Sequence, residues 1–114
     1  MIKIPLPGNP VRGSHSGKPV MALFDLLCRR WAMGIIWNLG ERPFNFRELQ
    51  SKCETISPTI LNTRLKELKM AGLVQNSSEG YELTPNGTEL LQLLKPFKKY
   101  AHDWAEYIKK EQGD

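Results

Sequence analysis

The chain has 114 residues, 40% of them apolar, which allows one domain with a modest core and no more. It holds no apolar run of the roughly 18 residues that a membrane span needs, and its opening, MIKIPLPGNPVRGSHSGKP, lacks the apolar stretch of a secretory signal, so a soluble cytoplasmic protein is expected. The net charge is +4, and the whole excess lies in residues 1–30, where Lys3, Arg12, Lys18, Arg29 and Arg30 face a single Asp25, while eleven bases and eleven acids cancel in the remainder.

That asymmetry favours a polyanionic partner, with a solvated, poorly ordered arm as the plain alternative. Residues 1–19 are rich in proline and glycine and read as an extended basic arm. Pro19 suits a helix start, and Val20–Cys28 (VMALFDLLC) is apolar on nearly every side, so this helix needs covering all round, which in a small domain usually takes a second subunit. A second helix is expected over Arg30–Leu39, with Trp31, Ile35 and Leu39 on one face and Gly40 as its stop. After a short extended piece at Arg42–Asn45 comes a third helix, Phe46–Lys52, with Phe46 and Leu49 toward the core, and then a turn at Cys53–Ile56.

Ser57 can cap the next helix and Pro58 can open it, since neither costs a backbone hydrogen bond there. That fourth helix, 58–71, buries Leu61, Leu65 and Leu68 and ends at Gly72. Its other face carries Thr59, Asn62, Thr63 and Lys66 and no carboxylate. Two short strands, Leu73–Gln75 and Tyr81–Leu83, flank a five-residue hairpin, NSSEG. Thr84 and Pro85 then open a last helix reaching about Lys110, with a kink expected near Gln92–Pro96 because Pro96 removes a backbone donor.

The order is mainly α with a small β-hairpin: an arm at 1–19, then a winged helix-turn-helix domain at 20–110. Helix 58–71 would be the recognition helix, with Thr59, Asn62, Thr63 and Lys66 in the major groove. Such helices put their N-terminal residues on base edges, and a carboxylate there would be repelled by phosphate. An ordinary amphipathic helix is the plain alternative.

The last helix places Leu90, Leu94, Phe97, Ala101, Trp104 and Ile108 on a heptad seam, with Leu93, Tyr100 and Tyr107 in a second stripe beside it. Two stripes exceed what a small core can use, so the surplus is expected to form a twofold homodimer with the helix at 20–28. Leu23, Phe24, Leu94, Phe97, Ala101, Trp104 and Ile108 are the expected interface residues. Two such units would present their recognition helices roughly 34 Å apart.

The stretches LLCRRWAMGIIWNL (26–39), PFNFRELQSKCETISPTILNTRLKELKMAGLV (43–74) and YELTPNGTELL (81–91) resemble the HxlR-type winged-helix transcriptional regulators of prokaryotes, relatives of the MarR group. The resemblance covers most of residues 20–110 and implies a dimeric regulator that binds double-stranded DNA. It places Ser57, Pro58, Thr59, Asn62, Thr63 and Arg64 at the start of the recognition helix and makes Arg30 and Arg47 candidates for phosphate contacts, with Arg64 alternatively supporting the fold by pairing inside the motif. Many members carry a Cys-Pro pair before the first helix; here Lys18 precedes Pro19, which puts thiol-based sensing at that place in doubt. The wing has neither Arg nor Lys, so its minor-groove contacts should be weak, and the basic arm is a candidate to supply them.

Cys28 and Cys53 are too few and too far apart in sequence for a disulfide framework, and both are expected as buried thiols in a reducing compartment. The histidines, His15 and His102, make no metal set, and no nucleophile or phosphate-loop motif occurs, so neither an enzyme nor a resident cofactor or metal is expected. A winged-helix protein-interaction module that does not bind DNA is the rival, set against it by the retained Arg47, Arg64, Lys66 and Lys69. An effector, if there is one, would be an apolar ligand held between dimer helices near Trp37, Phe97 and Trp104.

Overall fold

A computed structural model describes residues 3–54 and 56–113; Met1, Ile2, Thr55 and Asp114, which include the first two residues of the arm and one of the turn expected at 53–56, lie outside it. The helices are α1 (Pro19–Leu27), α2 (Ala32–Leu39), α3 (Phe46–Lys52), α4 (Pro58–Met70), α5 (Pro85–Leu94) and α6 (Pro96–Glu111), and the strands β1 (Val74–Ser77) and β2 (Gly80–Leu83) form a hairpin between α4 and α5. This is a winged helix-turn-helix, mainly α with a two-stranded antiparallel wing, and no helix among the described residues is long and apolar enough to cross a membrane.

Local chemistry sets most of the boundaries. Asn45 and Glu48 form a capping box on α3, each side chain accepting from the other's backbone amide. Ser57 Oγ accepts from the Ile60 amide at 3.1 Å, with Pro58 in the first helical turn of α4. Thr84 Oγ1 accepts from the Gly87 amide at 2.9 Å and donates to the Gly72 carbonyl at 2.6 Å, so one hydroxyl caps α5 and ties it to the end of α4. The core joins Leu26 and Leu27 of α1, Ile35, Ile36 and Leu39 of α2, Leu49 of α3, the α4 leucines Leu61, Leu65 and Leu68, and Leu91 of α5.

Four expectations are corrected. The second helix begins at Ala32 and not at Arg30, because Trp31 sits at φ 74, in the left-handed region, where the chain reverses out of α1. The five-residue hairpin is a tighter one: Ser77 pairs with Gly80, leaving Ser78 and Glu79 at the tip. Gly80 is required there, since its φ is 126 and an added Cβ would lie 2.4 Å from the Phe44 carbonyl oxygen. The extended piece at Arg42–Asn45 meets that edge, as Phe44 and Tyr81 exchange both backbone hydrogen bonds.

The long C-terminal helix divides at Lys95 into α5 and α6, so the expected kink is a break. Pro96 cannot donate to the Gln92 carbonyl, which ends the hydrogen-bond ladder. Leu91, which lies in neither predicted stripe, is the residue that α5 sinks into the core. Fourth, the arm is not extended throughout. Gly8 donates its amide to Gly17 at 2.8 Å, and Val11 and Ser14 form a bridge, so residues 8–17 double back on themselves. Ile4 packs on the core and Arg12 lies 3.7 Å from Asp25 of α1.

Candidate nucleic-acid interface

The front of α4 is built as a surface. Its leucines are buried behind it, while Ser57, Pro58, Thr59, Asn62 and Lys66 are exposed and Thr63 is half-buried. A helix pinned by Leu61, Leu65 and Leu68 cannot roll, so it holds the side chains on its front in a fixed fan from its first turn onward. Arg47 on α3 and Arg30 at the reversal before α2 are exposed as well, the latter with its guanidinium 5.7 Å from the Trp31 ring centre.

Two of the expected basic residues are tied up within the fold. Arg64 donates from Nε to the Arg30 carbonyl at 2.8 Å and from Nη1 to Glu67 Oε1 at 3.1 Å. Its guanidinium is thereby turned toward the α1–α2 reversal, which is the fold-supporting alternative of the two roles given to it by the family resemblance. Lys69 donates to Asn76 Oδ1 at 3.1 Å and lies over the Tyr81 ring, which binds it to the wing. The open cations of this region are therefore Arg30, Arg47 and Lys66, and the turn before α4 carries one exposed carboxylate, Glu54, at φ 57.

Beside the leucines, a buried charge network also ties α4 to the rest of the domain, and only the internal pairing of Arg64 in it was weighed from sequence. Glu67, on the back of α4 and 5% exposed, accepts from Arg29 at 2.5 Å and from Arg64 at 3.1 Å. Arg29 also lies 3.8 Å from Asp25 and donates to the Lys3 carbonyl at 3.3 Å. The chain of contacts therefore runs from the arm through the end of α1 to α4. The spacings Asp25–Arg29 and Arg64–Glu67, one helical turn each, were the available signal.

The second surface is apolar. Val20, Leu23 and Phe24 of α1 are exposed, and α6 buries none of its residues among the described ones. Phe97, Tyr100, Trp104 and Tyr107 are each more than half exposed. Of the other expected interface residues, Ala101 is exposed while Leu94 and Ile108 are half-buried. Neither predicted stripe is consumed by α6 packing on its own domain. Cys28, expected in the core, is exposed at the end of α1, where the buried face is Ala22, Leu26 and Leu27; Cys53 is buried as expected, and burial pushes its thiol pKa up.

A cleft of about 480 Å³ opens between the arm, α1, the end of α4 and α5. It is not where an apolar ligand was expected: Trp37, Phe97 and Trp104 do not line it.

Comparison with known proteins gives one consistent answer. The family model described as HxlR-like helix-turn-helix matches residues 26–109. The HTH-type transcriptional regulator YodB of Bacillus subtilis (strain 168) is 31% identical over 90 residues, covering 73% of this chain and 80% of that one. From the same organism, the uncharacterized HTH-type transcriptional regulator YvaP is 29% identical over 89 residues, covering 72% and 82%. The crystal structure of quinone-bound YodB superposes with a TM-score of 0.68 at 32% identity, covering 74% of this chain and 96% of that one.

Proposed function

Because this chain belongs to the HxlR-like helix-turn-helix family of transcriptional regulators, we propose that it binds double-stranded DNA sequence-specifically, as a homodimer, in the cytoplasm. The observation that carries the reading is the front of α4, where Thr59, Asn62 and Lys66 stand open above a fully buried leucine back. In this reading α4 enters the major groove. Asn62, Thr59 and Thr63 read base edges, Asn by a bidentate contact to adenine and Thr by its hydroxyl or its methyl. Ser57 and Pro58 bring the amide-rich start of α4 close to the backbone, where phosphate is favoured. Arg30, Arg47 and Lys66 neutralise phosphates, and Arg64 acts from behind by holding the α1–α2 reversal against α4.

Dimerisation would join the exposed faces of α1 and α6, with Leu23, Phe24, Phe97 and Trp104 as anchors. A twofold axis would then set two copies of α4 about one helical turn of DNA apart.

The test is a gel shift and footprint with the DNA upstream of the protein's own gene, at two salt concentrations, alongside sedimentation at micromolar protein. The expected result is a protected, roughly palindromic site, an affinity that falls steeply with salt, and a dimer. The rival reading, a winged helix that meets only protein, draws on the fact that Arg64 and Lys69 are engaged internally. Absence of any salt-dependent DNA binding would favour it.

A further inference from the structure

One apolar side chain stands where the start of α4 is otherwise polar. Ile60, in the first turn, is 38% exposed and is not among the residues that build the core or pack against it. Its backbone is held fast, because the amide that Ser57 Oγ caps at 3.1 Å is its own. A β-branched side chain in a helix keeps essentially one χ1 rotamer. The methyl groups of Ile60 are therefore presented in a fixed place and lose little freedom on contact. Single exposed apolar residues are common on protein surfaces. This one stands in the turn that carries the exposed Thr59 and Asn62, one helical turn before Thr63.

The cations and anions of the same helix narrow what this turn can read. The commonest specific contact to guanine is a bidentate one from Arg or Lys, and cytosine is read by an accepting carboxylate. Residues 57–63 hold none of these side chains. Arg64 comes next, but it donates from Nε to the Arg30 carbonyl at 2.8 Å and from Nη1 to Glu67 at 3.1 Å, which turns its guanidinium away from the front. Lys66 lies roughly 12 Å past Pro58 along the helix, in the place assigned above to a phosphate. The groups left at the start of α4 are an amide, hydroxyls and methyls. Asn62 is the side chain that pairs with adenine, and thymine is the one base that shows a methyl group in the major groove.

We propose that Ile60 reads a thymine methyl group in the major groove, beside an adenine held by Asn62, so that each half-site is specified at A·T pairs. This rests on the reading of α4 as the DNA-facing helix and adds to it a specificity-determining residue and the base chemistry it selects. The contact gains from removing two apolar surfaces from water and from their dispersion attraction. Salt should leave it nearly untouched, unlike the phosphate contacts.

The test uses a duplex selected by the protein from a random pool, remade with uracil in place of thymine at one position at a time. Each exchange removes a single methyl group and leaves the pairing intact. The expected result is one position in each half-site where the exchange lowers affinity about fourfold, the effect of one buried methyl group. Ile60→Ala should bind the thymine site more weakly by a similar factor and no longer distinguish uracil from thymine there, with an unchanged salt slope. Ile60→Val should keep the distinction. The uracil scan on the unmodified protein stands whether or not a variant folds. Specific binding with no position sensitive to the methyl group, or with the same sensitivity retained in Ile60→Ala, would overturn the inference and leave the DNA reading standing. Failure to bind any duplex at low salt would bring down both.

Discussion

Arg29 Nη1 donates to Glu67 Oε2 at 2.5 Å, across the boundary between the end of α1 and the back of α4. Neither side chain has more than 13% of its surface in water. A carboxylate in such a place is stable only because two guanidiniums, those of Arg29 and Arg64, satisfy it. The orientation of α4 therefore rests on its buried leucines together with charges on its back, away from the exposed Thr59, Asn62 and Lys66.

Removing the carboxylate should be costly, since it strands two cations. Glu67→Ala is expected to lower the unfolding free energy by about 3 kcal/mol, the usual range for breaking a buried pair on one side. The partly open position of Arg64, 19% exposed, makes this an upper value. Glu67→Leu combined with Arg29→Met should recover most of the loss. Urea denaturation followed by far-UV circular dichroism measures both, and a loss under about 0.5 kcal/mol in the single variant would show that α4 is held by its leucines alone.

Asn62 and Lys66 stand on the same face and should fail in different ways. Asn62→Ala is expected to cost about 1–3 kcal/mol on the preferred site and little on unrelated DNA, because a base contact is lost. Lys66→Ala should weaken binding to all sequences alike and reduce the salt slope by about one. Titrations on specific and scrambled duplexes across a salt series distinguish the two, and equal behaviour of the variants would remove the assignment of Asn62 to base reading.

The two thiols should react at very different rates. Cys28 is open to reagent, whereas Cys53 is 1% exposed and its pKa is raised by burial, so little thiolate is present near neutral pH. Labelling of the native protein with a thiol-specific chromogen should modify Cys28 promptly and Cys53 only at the rate of unfolding. Cys28→Ser should abolish the fast phase.

Acidification should loosen the start of α3. The Glu48 carboxyl is held below its ordinary value of 4.5, first by the Asn45 backbone amide and then by its hydrogen bond to Arg42. Since the folded state favours the carboxylate, its stabilisation is present above 4.5 and is lost as pH falls through the lower folded value. Glu48→Gln should be less stable than the parent at neutral pH, and the gap should narrow on acidification. Thermal melts on either side of 4.5 check the sign.

Much of the molecule was legible in the sequence, for a local reason. The α3 and α4 boundaries follow from caps and an opening proline, Asn45 with Glu48 and Ser57 with Pro58, which act over three or four residues. The leucine spacing of α4 decided which side would be buried, and with it which side would be free to meet a partner. Residues 20–110 resembled the family whose model matches residues 26–109 for the same reason, since these patterns are written in short range.

Tertiary structure decided what short-range pattern cannot carry. The sequence leaves Arg64 between a partner contact and a pairing inside the motif and puts Lys69 on the basic face; packing turns the first toward Glu67 and the second toward Asn76. Trp31 takes a left-handed backbone that no propensity would assign to a bulky residue, because the α1–α2 reversal demands it. Leu91, outside both predicted stripes, is the leucine that α5 buries, because α5 packs on α2 and β2. The arm's return onto α1 depends on Asp25, thirteen residues beyond Arg12 in the chain. Periodicity reports which residues share a face; only the folded chain determines which face meets which.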